Sequence, residues 1–223
     1  MYRTFHSESS AGFRDRLDHA TCGPEHLAAS SPTGSRDYMF ELLVAARFTG
    51  MGYLIDFNTK VDVIAQKADR TIQVECKRIS SPKKFRDRFI SAGDQLRLRR
   101  HEAQATHGII FMDVSNCVSD SLPLSELDTA SDANHAIGVA MQRWILCHAA
   151  MIEQLNERFL DCSLGVALIG QFTPWTWDTV GPTTATTTVV RAAEQLPNSA
   201  YRDLEEVMQG FDHALYNFYS TIQ

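Results

Sequence analysis

Asp62, Glu75 and Lys77 are the residues whose types and spacing best suit catalysis. They fall in two runs, Lys60 to Gln66 and Thr71 to Ile79, joined by Lys67-Ala68-Asp69-Arg70. Alternating β-branched and polar residues around a short polar break read as a hairpin. With Gln66 opposite Thr71, Asp62 comes opposite Glu75. Period-two alternation then puts Val61, Val63, Ala65, Ile72, Val74 and Cys76 on one face. Asp62, Ile64, Gln66, Thr71, Gln73, Glu75 and Lys77 share the other. A one-residue slip would bury the charges, so the pattern itself specifies the register. Opposed residues hold their Cβ atoms roughly 4.5–5.5 Å apart. Two carboxylates that close repel by about 3 kcal/mol at an effective dielectric of about 20. A divalent cation relieves that repulsion, and magnesium takes a few carboxylates together with water and phosphate oxygens. Lys77 can counter the same charge and reach a water or a phosphate oxygen. The pattern is equally that of a hairpin with one solvated charged face, in which Lys77 pairs with Glu75.

Glu41 is a carboxylate in an otherwise apolar run that includes Met39, Phe40, Leu42, Leu43, Val44 and Phe48. Burying a carboxylate costs several kcal/mol unless it is ion-paired or metal-bound. Both outcomes are open to Glu41, with Arg36 or Arg47 as pairing partners. Charge supplies a further sign. The chain carries −6 overall, yet Lys77 to Arg100 holds nine Lys and Arg against Asp87 and Asp94. That stretch is +7 and the remainder −13. Phosphate attraction depends on charge within about 10 Å at 0.1 M salt, so a local basic stripe can direct an anionic partner. A solvated helix face would look the same.

Other chemistries find less support. The five cysteines (Cys22, Cys76, Cys117, Cys147, Cys162) are odd in number and include no CxxC pair, which argues against zinc or a disulfide framework. Most are expected to be small buried residues. The eight histidines are scattered, and no serine sits in a nucleophile-elbow motif. Trp175 and Trp177 could stack on bases, but alternate aromatics in a strand are more often packing. Asp113, ending a strand, is not expected to act in the site.

The elements that must position these residues follow from the apolar spacing. Residues 1–34 read as a loosely packed or partly helical arm. Ser35 is a candidate cap for a helix over Arg36 to Phe48, closed near Gly50 and buried against a sheet. Tyr53 to Phe57 is a short strand. After the hairpin, Phe85, Phe89, Ala92, Leu96 and Ala103 space a helix from Lys83 to about Thr106, with Gly93 as a weak point. Ile109 to Val114 is a strand, and Ser115 to Asp132 reads as a loop. A long helix over about 133–159 and a strand over Leu164 to Phe172 follow. Residues 173–190 suggest an added hairpin. A last amphipathic helix, capped by Asn198 or Ser199, carries Leu204, Val207, Met208, Phe211, Leu215 and Phe218. With 223 residues, 44% apolar and 22% charged, the chain suits one large α/β domain or a core with an elaborated second half. No apolar run approaches the roughly 20 residues that span a bilayer, and the N-terminus has no signal-peptide pattern. A cytoplasmic location is the expectation.

This arrangement resembles the PD-(D/E)XK nuclease superfamily. Its signature is an Asp opening the second core strand, Glu-x-Lys on the third, and a preceding helix that often supplies a Glu. Here those are Asp62 in Val61-Asp62-Val63, Glu75-Cys76-Lys77, and Glu41. Val61 stands where the family Pro would be. The resemblance covers roughly residues 35–115 and extends to the strand near 164–172. It implies a restriction-endonuclease-like α/β core: a central mixed sheet flanked by helices, in αβββαβ order, with a C-terminal helical elaboration. The implied division is an arm over 1–34, the core over 35–172 and an extension over 173–223. The implied activity is hydrolysis of DNA phosphodiester bonds, with RNA left open, in restriction, anti-phage defence or repair. Asp62 and Glu75 would hold Mg²⁺, which Mn²⁺ can replace, with the Cys76 carbonyl as a further ligand and Glu41 binding directly or through water. Lys77 would orient the attacking water. Some branches carry Gln-xxx-Tyr in the following helix. Gln95 occupies the Gln position as a candidate for orienting substrate or water, and Arg99 stands where the Tyr would be. Lys83, Lys84, Arg86, Arg88, Arg97, Arg99 and Arg100 would grip the phosphate backbone. A homo-oligomer, or a partner protein on the C-terminal helices, is also implied. The alternative is a non-cleaving nucleic-acid-binding or assembly subunit of the same fold.

Overall fold

A computed structural model of the chain describes residues 11–21, 34–57, 60–68, 70–100, 107–122, 127–192, 195–198 and 200–209. Helix α1 spans Ala11–Thr21 and α2 Ser35–Gly50. Three strands follow: β1 Leu54–Asp56, β2 Val63–Lys67 and β3 Arg70–Arg78. A single 3₁₀ turn, Pro82–Lys84, leads into α3, Phe85–Arg99. Then come β4 His107–Asp113, the short helix α4 Ser115–Val118, and α5 Ala130–Arg158. The chain continues with β5 Ser163–Phe172, β6 Trp175–Thr176, β7 Gly181–Pro182 and β8 Ala185–Ala192. Residues 200–209 are helical. The expected αβββαβ order holds from α2 to β4.

Six strands form one mixed sheet in the order β1-β2-β3-β4-β5-β8. The β2–β3 hairpin is antiparallel, while β3, β4 and β5 run parallel. Parallel neighbours need crossover connections, and helices supply them, so both faces of the central strands are covered. One face packs against α2, with Phe48, Val74, Ile109 and Phe111 among its buried residues. Phe13 of α1 and Leu204 and Val207 of the 200–209 helix join that layer. The opposite face packs against α3 and α5 through Phe85, Phe89, Leu96, Met141 and Phe159. Gly93 is what lets α3 approach the end of α5, since a Cβ there would lie 2.5 Å from the Phe159 ring.

Several expectations change. Residues 11–21 form the helical part allowed for in the N-terminal arm, and that helix docks on the core through Phe13. Gly34 rather than Ser35 takes the cap position of α2. The loop expected from Ser115 contains α4 and a 3₁₀ turn over Ser119–Ser121. Thr129 and Asp132 cap α5 reciprocally, so it starts three residues earlier than the apolar spacing implies. The boundary placed at 173 falls inside the sheet, because β8 pairs antiparallel with β5 along its whole length. The hairpin expected there is the small β6–β7 pair. Its Trp175 and Trp177 are 43% and 55% exposed, which overturns their reading as packing residues. Among the four described cysteines, Cys76 and Cys162 are buried, Cys117 is half-buried and Cys147 is exposed. Ala103, Phe211, Leu215 and Phe218 lie outside the described residues. No helix among the described residues is long and apolar enough to cross a membrane.

Candidate active site

The hairpin has the register its alternation implies: Gln66 pairs with Thr71, Ile64 with Gln73 and Val63 with Val74. Regular pairing ends there. At Asp62 the chain bends away, and Val61 packs with Ile64 instead of joining the α2-side core. That corrects its assignment to the same apolar face as Val63. Asp62 still arrives beside Glu75 by another route. Its Oδ2 accepts the backbone N–H of Cys76 at 2.8 Å, so the side chain closes the gap where the ladder stops. The N–H and C=O of one strand residue point to the same side. The Cys76 carbonyl therefore faces the Asp62 side, where a ligand could use it. The Cys76 side chain is buried in the α2-side core.

Lys77 joins the two acids. Its Nζ stands 3.4 Å from Asp62 Oδ2 and 3.4 Å from Glu75 Oε2. The second oxygen of Glu75 accepts from Arg99 Nη1 at 3.2 Å. The face expected to be solvated is covered by α3, and Glu75 has 0% exposure. Glu41 meets neither Arg36 nor Arg47. Its Oε2 accepts from Arg16 Nε of α1 at 2.8 Å, whereas Arg47 donates to Thr188. Arg16 is thus a site residue outside the resemblance. Its only sequence trace is the Gly12-Phe13…Arg16-Leu17 spacing along one helix face.

These groups form one electrostatic unit. Burial, then the Asp62 charge, pushes the Glu75 carboxyl up to about 7, with Lys77 and Arg99 opposing. Glu41 is likewise pushed up to about 7 by burial and then Asp62, against Arg16 and Lys77. Burial alone would lower Lys77, but Asp62 and Glu75 outweigh it and its affinity for the proton rises. Burial, Asp62 and Glu41 hold the Cys76 thiol well above its ordinary range. Burial raises both carboxyls most and the Asp62 charge adds to it, and a divalent cation would offset both by favouring the ionised forms. The donor set, two carboxylates and a peptide carbonyl, is hard oxygen and suits magnesium, which completes its shell with water and phosphate. Among the described residues, no three His, Cys, Asp or Glu side chains converge as a preformed ligand cluster. An open cleft of about 520 Å³ reaches Asp62 and Glu41, walled by Arg16, Tyr38, Phe57 and Asp15.

The remaining candidates separate. Gln95 stands one helical turn before Arg99, but it lines a different groove with Asp87, Ile90, Ser91, Asp94 and Leu98. Its Oε1 has no hydrogen-bond partner among the described residues. Among the described residues, none of the hydrogen bonds of Asp62, Glu75 or Lys77 involves Gln95. Lys83, Lys84, Arg86 and Arg88 are exposed along the start of α3. Arg97 and Arg100 are tied down instead: Arg97 pairs with Asp161 and donates to the Arg158 carbonyl, and Arg100 donates to the Asp161 carbonyl. With Arg99 on Glu75, the basic stripe splits into an exposed half, Lys83 to Arg88, with no ion-pair partner among the described residues, and an engaged C-terminal half. Asp113 accepts from Arg78 and from the Ser115 N–H. No known protein family, characterised protein or solved structure matches the chain.

Proposed function

We propose that this chain is a metal-dependent nuclease that hydrolyses phosphodiester bonds of DNA, with RNA the next substrate to try. One observation carries the reading: Asp62 and Glu75 flank a single ammonium group at 3.4 Å each, beside a peptide carbonyl, and Asp62 also lines an open cleft together with Glu41. Asp62, Glu75 and the Cys76 carbonyl would hold Mg²⁺ or Mn²⁺, with Glu41 at the rim through water. A bound ion supplies Lewis-acid polarisation and a more acidic water. Lys77 donates to the attacking oxygen and steadies charge on the phosphate. Asp62 and Glu75 keep that ammonium protonated and fix its direction. The restriction-endonuclease-like identity of the fold, and a role in restriction or anti-phage defence, belong to the same proposal.

The test is cleavage of linear, circular and single-stranded DNA with Mg²⁺, Mn²⁺ or EDTA. Cutting is expected with either metal and none with EDTA. A purified protein inert on all three substrates with both metals would rule out the reading. The Lys83–Arg88 ridge supplies the phosphate grip in this proposal. Lys83→Ala with Lys84→Ala is expected to flatten the log affinity against log salt slope by about 2 for duplex DNA. Arg97→Ala, whose charge is already paired, should leave that slope unchanged. Filter binding between low and moderate salt reads both.

A second reading has its own support. Glu75 is wholly covered, and Lys77 and Arg99 already neutralise it. A non-cleaving nucleic-acid-binding or assembly subunit would look like this. It predicts salt-dependent binding with no metal-dependent product.

A further inference from the structure

We propose that Arg16 is a positioning residue, whose guanidinium fixes the Asp62 segment and Glu41 in the geometry needed to take up the metal. The inference rests on the metal-nuclease reading and adds a residue to it. Arg16 Nε donates to Glu41 Oε2 at 2.8 Å. Nη1 donates to the Phe57 carbonyl at 3.0 Å and the Gly12 carbonyl at 3.3 Å. Nη2 donates to the Asp62 carbonyl at 3.0 Å and the Val61 carbonyl at 3.2 Å. A guanidinium has five N–H donors, and all five are used. None is left for a phosphate, so Arg16 acts through Asp62 and Glu41 and does not grip substrate.

The location explains the need. Asp62 sits one residue before β2, where regular pairing with β3 ends. Its side chain is anchored to the Cys76 N–H, and its backbone is anchored by Arg16. Together these hold the residue at both ends, across an interval the ladder does not span. The sequence of α1 is shaped to deliver the guanidinium. Gly12 permits close docking, since a Cβ there would lie 2.4 Å from the Phe57 carbonyl oxygen. Phe13 packs on Phe57 with ring centroids 6.1 Å apart, and the Arg16 guanidinium carbon lies 4.9 Å from the same ring. One residue therefore links a helix, the Glu41 carboxylate and three carbonyls around Asp62. A lysine could supply the charge but not the planar fork.

The experiment compares wild type, Arg16→Ala and Arg16→Lys by Mn²⁺ titration calorimetry without nucleic acid, by thermal melting, and by the Mg²⁺ dependence of cleavage. Partners that orient metal ligands typically contribute 10–100-fold in metal affinity. Both variants are expected to bind Mn²⁺ at least about tenfold more weakly and to need correspondingly more Mg²⁺ for half-maximal cutting. kcat at saturating Mg²⁺ should largely recover. Equal loss in Arg16→Lys and Arg16→Ala supports geometry over charge. Mn²⁺ affinity within about twofold of wild type in the folded variants overturns the proposal. Should Arg16→Ala fail to fold, Arg16→Lys decides, and failure of both assigns Arg16 to fold maintenance and overturns it too. A wild type that binds Mn²⁺ but cuts nothing removes the nuclease reading while the titration still tests Arg16. A wild type that binds no Mn²⁺ removes both.

Discussion

Lys77→Ala is expected to lower single-turnover cleavage by about 10²–10⁴-fold, the range associated with losing one positioned proton-transfer or charge-stabilising group. The expectation follows from the convergence of Asp62 and Glu75 on its ammonium, each at 3.4 Å. No other described lysine contacts either acid, and Arg99 reaches only the far oxygen of Glu75. DNA affinity should change little, because the exposed cations of Lys83, Lys84, Arg86 and Arg88 lie at the start of α3 and in the turn before it. Lys77→Arg should not restore full rate, since a planar fork cannot take the place of a compact ammonium between two carboxylates. Single-turnover rates and filter binding on the same preparations separate chemistry from affinity. Cleavage by Lys77→Ala within about threefold of wild type would remove Lys77 from the mechanism, far outside the effect expected of a catalytic group.

Glu75→Gln should abolish metal-dependent cutting and yet stabilise the metal-free protein at pH 8. The Glu75 carboxyl is pushed from an ordinary value of 4.5 up to about 7, first by burial and then by Asp62. A carboxyl whose pKa is raised by folding favours the folded state while it is neutral. That contribution is complete below about 4.5 and is lost as pH rises through about 7. Glutamine imitates the neutral acid at every pH. The melting temperatures of the two proteins should therefore nearly coincide at low pH and diverge upward to pH 8. Each tenfold change in proton affinity is worth ~1.4 kcal/mol, so the gap is on the order of 3 kcal/mol, or roughly 5–10 °C for a domain of this size. Mg²⁺ should raise the melting temperature of wild type at pH 8 and leave Glu75→Gln unmoved, because a ligand stabilises only the state that binds it. The observation that counts against this account is a variant that melts below wild type at pH 8. In that case the ion pairs with Lys77 and Arg99 outweigh the cost of burial. Glu41, raised to about 7 by burial and Asp62, adds to the same loss of stability with rising pH.

What was legible in the chain was local. The alternation from Val63 to Lys77 specifies which residues share a face, because a slip of one position would exchange buried and charged sides. The Gln66–Thr71 register and the shared face of Glu75 and Lys77 follow from that, whereas Asp62 reaches them beyond the end of the ladder, through its bond to the Cys76 N–H. The helix of residues 35–50, the long helix ending at Arg158 and the order of strands follow from apolar spacing. Charge counting alone marked the stretch from Lys77 to Arg100. It could not tell which cations are free, since Asp161, the partner of Arg97, lies 64 residues away.

Sequence by itself determined the secondary structure around the candidate site and the placement of Glu75 and Lys77 on one face of β3. Tertiary structure alone decided that Glu75 is buried under α3, that Glu41 meets Arg16 and not a neighbour on its own helix, and that the Thr-rich β8 completes the sheet. The physical reason is separation along the chain. Periodicity reports which side of an element is apolar, but not what will cover the other side. That depends on where crossovers and remote helices dock, and on close approaches such as Gly12 against Phe57, which no local pattern encodes.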